Sequence, residues 1–165
     1  PGGVEAMHDL KTGSYTVRGP LALGAIVAGA SAPQRASLER FAAPLGVAFQ
    51  LRDDLLGTFG DPRATGKPAG NDVRRGKRTA LVAALAGDAE GERLMARALG
   101  ASGASDDDVA KLVARLESSG ARAQVEARLR ELLSAAEREL AAGHFTSRGK
   151  AWLQGAVTAL GERES

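Results

Sequence analysis

The chain has 165 residues, 44% of them hydrophobic and 25% charged, with 22 Lys and Arg against 20 Asp and Glu for a net charge of +2. That is a soluble globular balance; so small a charge, with one Trp, one Tyr and four Phe, gives little basic or aromatic surface for nucleic acid. The absence of cysteine excludes disulfides and thiolate-bound zinc, no apolar run approaches the roughly 20 residues of a membrane span, and no signal-peptide pattern opens the chain, so a cytoplasmic protein is expected.

In chain order, residues 4–11 (VEAMHDLK) read as the end of a helix interrupted at Thr12-Gly13. The following SYTVRGPLALGAIVAGA is apolar and rich in small residues, which predicts a tightly packed, buried helix stopped near Ser31. Ser31-Ala32-Pro33 reads as an N-cap followed by proline in the first turn. Leu38, Phe41, Leu45, Phe49 and Leu56 then recur at helical spacing, predicting one helix over 33–59, about 40 Å long at ~1.5 Å per residue, with a kink at Pro44. Gly60-Asp61-Pro62 ends it. Residues 60–78 lack apolar periodicity and are expected to form a long, flexible basic loop of the kind that serves as a lid.

Helices resume beyond Thr79. Leu81, Val82 and Leu85 make a short apolar face, and Leu94, Met95 and Leu99 another. Val109, Leu112, Val113 and Leu116 follow an N-cap signal at Ser105-Asp106. Val125, Leu129, Leu132, Leu133, Ala136 and Leu140 form the clearest amphipathic helix, closed by Gly143. Trp152, Leu153, Ala156, Val157 and Leu160 mark a last helix capped near Ser147. No segment reads as strand. The expected fold class is all-α, a helical bundle in a single domain over 1–165.

The chemistry concentrates in FQLRDDLLGTFGDPRATGKPAGNDVRRGKRT, residues 49–79. Gln50, Asp53 and Asp54 fall at i, i+3 and i+4, one face of a helix. Adjacent carboxylates on an apolar helix suit a hard divalent cation such as Mg²⁺, which takes oxygen ligands and keeps several waters. The loop beyond them carries Arg63, Lys67, Arg74, Arg75, Lys77 and Arg78 against Asp61 and Asp72, and such cations suit phosphate oxygens. Lys67 and Lys77 each follow a glycine, whose conformational freedom lets the lysine be presented inward. Lys11-Thr12 supplies a second lysine and a hydroxyl at a helix break. A solvated helix end is the plain reading of two acids; Phe49, Leu51, Leu55, Leu56 and Phe59 around the pair shift it toward a metal site. His8 and His144 have no ligand-spaced partners and are read as incidental. No P-loop motif occurs.

FQLRDDLLG, GDPRATGKPAGNDVRRGKRT and the earlier KTGSYTVRGPLALGA, in this order and spacing, resemble the C-terminal half of trans-isoprenyl diphosphate synthases of the bacterial farnesyl/geranylgeranyl type. The resemblance is strong over residues 5–85 and only helical beyond. It implies the isoprenoid synthase bundle, incomplete in this chain and normally homodimeric. It also implies head-to-tail condensation of an allylic diphosphate with isopentenyl diphosphate through a magnesium-assisted allylic cation. Carried over by motif, Asp53 and Asp54 would hold one Mg²⁺, mostly through water. Lys11 and Lys67 would contact the allylic diphosphate, Thr12 and Gln50 would line the region of the cation, and Lys77 would belong to the loop that closes over the substrates.

Two departures stand out. The family's second acidic motif reads DDxxD, but Gly57 occupies the last position here, with Asp61 one turn further on and able to assist through water. The first acidic motif and the arginine pair belong upstream and are not in this sequence, so a C-terminal portion is expected, with a missing N-terminal half completing the site and apolar faces left exposed. A non-catalytic subunit of a heteromeric prenyl synthase, a terpene cyclase and a basic nucleic-acid-binding module are the alternatives. The 165 residues alone are expected to be inactive; turnover of dimethylallyl or farnesyl diphosphate with isopentenyl diphosphate by the isolated chain would overturn that expectation.

Overall fold

A computed structural model of the chain describes residues 15–66 and 68–162. Lys11, Thr12 and Lys67, and the helix end expected over 4–11, lie outside the described residues. Among the described residues all regular structure is helical: α1 (Gly19–Val27), α2 (Ala32–Phe59), α3 (Pro62–Thr65), α4 (Asn71–Arg74), α5 (Ala80–Ala83), α6 (Ala89–Ala98), α7 (Asp106–Ser118), α8 (Ala121–Ala142) and α9 (Ser147–Glu162). The all-α expectation holds. The chain divides into two compact units, one formed by Asp53–Ala127 and the other by the described parts of Glu5–Arg52 and Arg128–Arg163.

In the first unit α7 supplies the central apolar stripe. Val109, Leu112 and Leu116 are buried at i, i+3 and i+7, as their spacing predicts. Val73, Leu81, Leu85 and Ala98 are also buried. Helix α7 starts at the expected place because Ser105 and Asp108 form a capping box: Ser105 Oγ accepts from Asp108 N (3.1 Å), and Asp108 Oδ2 accepts from Ser105 N (3.2 Å). Asp88 caps α6 through Glu90 N, and Arg115 of α7 donates to the same carboxylate at 2.6 Å. That hydrogen bond from Arg115, with those from the Gly91 and Glu90 amides, holds Asp88 below the ordinary carboxylate range despite some desolvation.

In the second unit α2 buries Phe41, Ala42, Leu45, Ala48 and Leu51, α8 buries Leu129, Leu132, Ala136 and Leu140, and α9 buries Val157 and Leu160. Helix α2 begins one residue before the expected start. Its cap is reciprocal in part, since Gln34 Oε1 accepts from Ser31 N at 2.9 Å. The helix continues past Pro44 to Phe59. Arg52 ties to the end of α9, donating through Nε to Leu160 O (3.1 Å) and through Nη2 to Gly161 O (2.7 Å), which satisfies carbonyls with no partner inside the helix.

Three expectations need correction. Helix α1 has no buried residue, and Leu23, Ile26 and Val27 are 64%, 64% and 81% exposed. Its apolar residues lie all round the helix, and uniform apolarity indicates a demand for burial without supplying the neighbour that meets it. On α9 Trp152 is exposed, while Leu153 and Ala156 line an open apolar groove with Phe41 and Phe49; the cap does fall near Ser147 as expected, at Thr146, whose Oγ1 accepts from Gly149 N at 3.1 Å. Residues 60–78 contain α3 and α4, so they are not a structureless loop.

Replacing Leu112 by Ala should lower unfolding free energy by about 2–5 kcal/mol, read in a urea melt; a loss under ~1 kcal/mol would contradict close packing around α7. Asp88→Ala should lower the melting temperature at pH 7. Because the folded pKa of Asp88 is depressed, its contribution is present above the unfolded value near 3.8 and is lost as pH falls through the folded value, so the gap between variant and parent should close only in acid.

Candidate functional site

The site is built at the C-terminal end of α2. Asp53 and Asp54 lie in its last two turns, one turn beyond the buried Gln50 on the same helix. The two acids differ in surroundings. Asp54 has no accessible surface, whereas the Asp53 side chain is 55% exposed. The segment that follows folds back on this end: Gly70 N donates to Thr58 O at 3.1 Å, so α4 starts beside the last turn of α2. Helix α4 carries the buried Asp72, and Lys77 N donates to Asp72 O at 3.0 Å.

Lys77 joins these pieces. Its Nζ lies 3.0 Å from Asp53 Oδ2, 3.0 Å from Asp54 Oδ1 and 3.2 Å from Asp72 Oδ2. Asp54 also accepts from Ala80 N at 3.3 Å, at the start of α5. The inward presentation expected of a lysine after glycine is realised. Gly76 sits at φ +67°, and its backbone packs on that of Gly100, where an added Cβ would stand 2.8 Å from Gly76 Cα. Burial by itself would lower the Lys77 pKa, but the charges of Asp54 and Asp72 and the hydrogen bonds to Asp54 and Asp53 outweigh it and raise the pKa above the ordinary lysine value. Asp72 is raised, first by burial and then by the charges of Asp54 and Asp53, with Lys77 opposing both.

Of the residues picked out from sequence, Asp53, Asp54 and Lys77 are thus brought together. Asp61, one turn past Gly57, is engaged otherwise: it is the N-cap of α3, its Oδ1 accepting from Arg63 N at 2.8 Å. Arg74 of the basic segment pairs with Asp106 at 2.8 Å. The residue that sequence reasoning missed is Asp72, counted there only as charge offsetting the arginines. Gly57 was its signal, since a glycine on the acid-bearing face leaves room for a group from elsewhere.

The donor chemistry fits a hard divalent cation. Carboxylate oxygens converge on the Lys77 ammonium, a position where positive charge is favoured. Among the described residues no three acidic or imidazole groups are placed to enclose a metal by themselves. A magnesium ion held here would therefore need further oxygens from water or a phosphorylated ligand.

These helices make a chain of the isoprenoid synthase fold. The structure superposes with a TM-score of 0.90 on the crystal structure of a geranylgeranyl pyrophosphate synthase from Corynebacterium glutamicum, complexed with isoprenyl diphosphate and magnesium; the match is 35% identical and covers 98% of this chain and 46% of that one. The polyprenyl synthetase family profile matches residues 4–116. Geranylfarnesyl diphosphate synthase of Aeropyrum pernix is 40% identical over 124 residues, 75% of this chain and 38% of that protein. Geranylgeranyl diphosphate synthase of Mycobacterium tuberculosis is 46% identical over 107 residues, 62% of this chain and 31% of that protein. The chain belongs to the polyprenyl synthetase family. The matches span about a third of the length of these curated relatives and about half of the solved structure.

Lys77→Met should destabilise the metal-free chain by about 1–3 kcal/mol, discounted from a fully buried pair because the lysine is partly exposed. The loss should be larger at pH 7 than near pH 4, because Asp72, already raised by burial and freed of the opposing Lys77 charge, takes up its proton more readily in acid. Urea melts at the two pH values check this, and equal losses would contradict a charge-neutralising role.

Proposed function

We propose that this chain serves magnesium-dependent prenyl transfer, in which an allylic diphosphate condenses head-to-tail with isopentenyl diphosphate. The observation that carries the reading is the convergence of Asp53, Asp54 and Asp72 on Lys77 at the end of a long helix of the family fold. In the reaction the allylic carbon–oxygen bond breaks, the double bond of isopentenyl diphosphate attacks the allylic carbon, and a proton is lost. Asp53 and Asp54 would hold magnesium, chiefly through water, and the metal when bound supplies positive charge against the diphosphate oxygens. Lys77, together with Lys11 and Lys67, would meet the remaining oxygens. Charge developing on the leaving group is then met by cations already in place. Gln50 and Thr12 would turn neutral dipoles toward the allylic cation without capturing it as a nucleophile would. A cytoplasmic homodimer is the setting we favour; no helix among the described residues is long and apolar enough to cross a membrane.

Gly57 favours a second reading, a non-catalytic partner of a heteromeric prenyl synthase, since it removes an acid from the motif. Isothermal titration separates the two. Inorganic diphosphate should bind the chain only with MgCl2 present, and Asp53→Asn and Asp54→Asn should each weaken binding by at least about tenfold, ~1.4 kcal/mol. Binding indifferent to magnesium, or untouched by both substitutions, would reject the prenyl-transfer site and leave the non-catalytic reading.

A further inference from the structure

We propose that Gly57 is a positioning residue: its missing side chain seats the Asp72 carboxylate, so that an acid from α4 stands where a side chain of α2 would otherwise lie. The seating follows from the structure alone; its consequence for magnesium rests on the prenyl-transfer reading.

Gly57 follows Asp53 by four residues and Asp54 by three, and so shares their helix face. A Cβ built on Gly57 would stand 2.3 Å from Asp72 Oδ2, 2.5 Å from Cγ and 2.8 Å from Oδ1, separations that non-bonded atoms do not reach. The whole carboxyl group therefore lies within the volume of a side chain at 57. The backbone gives no reason for glycine here. Gly57 lies inside α2 and is not among the glycines with positive φ, and in a helix interior Gly is disfavoured relative to Ala. Steric accommodation is the reason that remains.

Asp72 is also poorly placed to yield. Its carbonyl accepts from Lys77 N, its Oδ2 accepts from Lys77 Nζ, and the turn before it is fastened to Thr58 O by Gly70 N. A side chain at 57 would push the carboxylate off Lys77 or displace α4, and in either case Asp53 and Asp54 would share the ammonium in a different arrangement. Gly57 thus acts on the acid pair through Asp72 and Lys77.

A double-mutant cycle decides the matter. Gly57→Ala should lower the metal-free melting temperature in the parent but raise it in an Asp72→Ala background, where the carboxylate is gone and only the helix preference for alanine is left. In the presence of MgCl2, Gly57→Ala should weaken binding of inorganic diphosphate by about tenfold in the parent and leave it unchanged in the Asp72→Ala background. A purely structural role would move melting without moving the magnesium-dependent affinity. A rise in melting temperature in both backgrounds, or additive effects of the two substitutions, would overturn the proposal. If the parent binds no magnesium diphosphate, the functional reading and the positioning role fall together, while the reversal in melting still settles how Asp72 is seated.

Discussion

One ammonium shared by three carboxylates is the constraint on which this site depends. Asp53, Asp54 and Asp72 each place a carboxylate oxygen within 3.2 Å of the Lys77 ammonium. At an effective dielectric of about 20, two like charges at 4 Å repel by roughly 4 kcal/mol, so so dense an acidic group is not what stability alone would select. Part of the strain is relieved locally: Asp72 holds its proton more readily than an ordinary carboxylate because it is buried, and Asp54 takes the Ala80 amide. Carboxylates gathered in this way favour positive charge between them.

The backbone around the site holds that charge arrangement in place with few side chains. Gly70 binds the carbonyl of Thr58, Lys77 binds that of Asp72, and Gly100 N donates to Val73 O at 2.9 Å while the Gly76 and Gly100 backbones meet. Each tie depends on peptide groups approaching closely, and the left-handed φ values at Gly70, Gly76 and Gly100 favour glycine there. The segment read from sequence as a basic loop is therefore an organised turn around a buried acid. Two of its cations have internal work, Lys77 with the acids and Arg74 with Asp106.

Much of the architecture was legible because local rules and packing agree. The i, i+3, i+7 stripe of α7 sits behind a capping box spelled out by Ser105 and Asp108, and α8 repeats Val125, Leu129, Leu132, Ala136 and Leu140 on one buried side. Helix α1 shows where that legibility stops. Leu23, Ile26 and Val27 predict burial by composition, but burial is a relation between elements, and a single helix cannot specify the second partner. Trp152 fails for the same reason on α9. At the site, Asp53, Asp54 and Lys77 could be found because the motif sets acids at helical spacing and lysine after glycine. Asp72 could not, since it lies 18 positions beyond Asp54, past the end of α2 and past α3, and only the folded chain shows that its carboxyl meets Gly57.

Glycine at position 57 looks, in the linear motif, like the loss of a ligand. In three dimensions it changes which element provides the carboxylate. An acid on α2 would be fixed by the same rigid helix as Asp53 and Asp54, whereas Asp72 rides on the segment that also carries Lys77. Its carboxylate and the ammonium that neutralises it thus belong to one short stretch of chain, hydrogen-bonded to each other at both backbone and side-chain level. A shift of that stretch would move acid and cation together relative to the acid pair. The balance of charge at the site is then coupled to the position of α4, a coupling that an aspartate built into α2 would not provide.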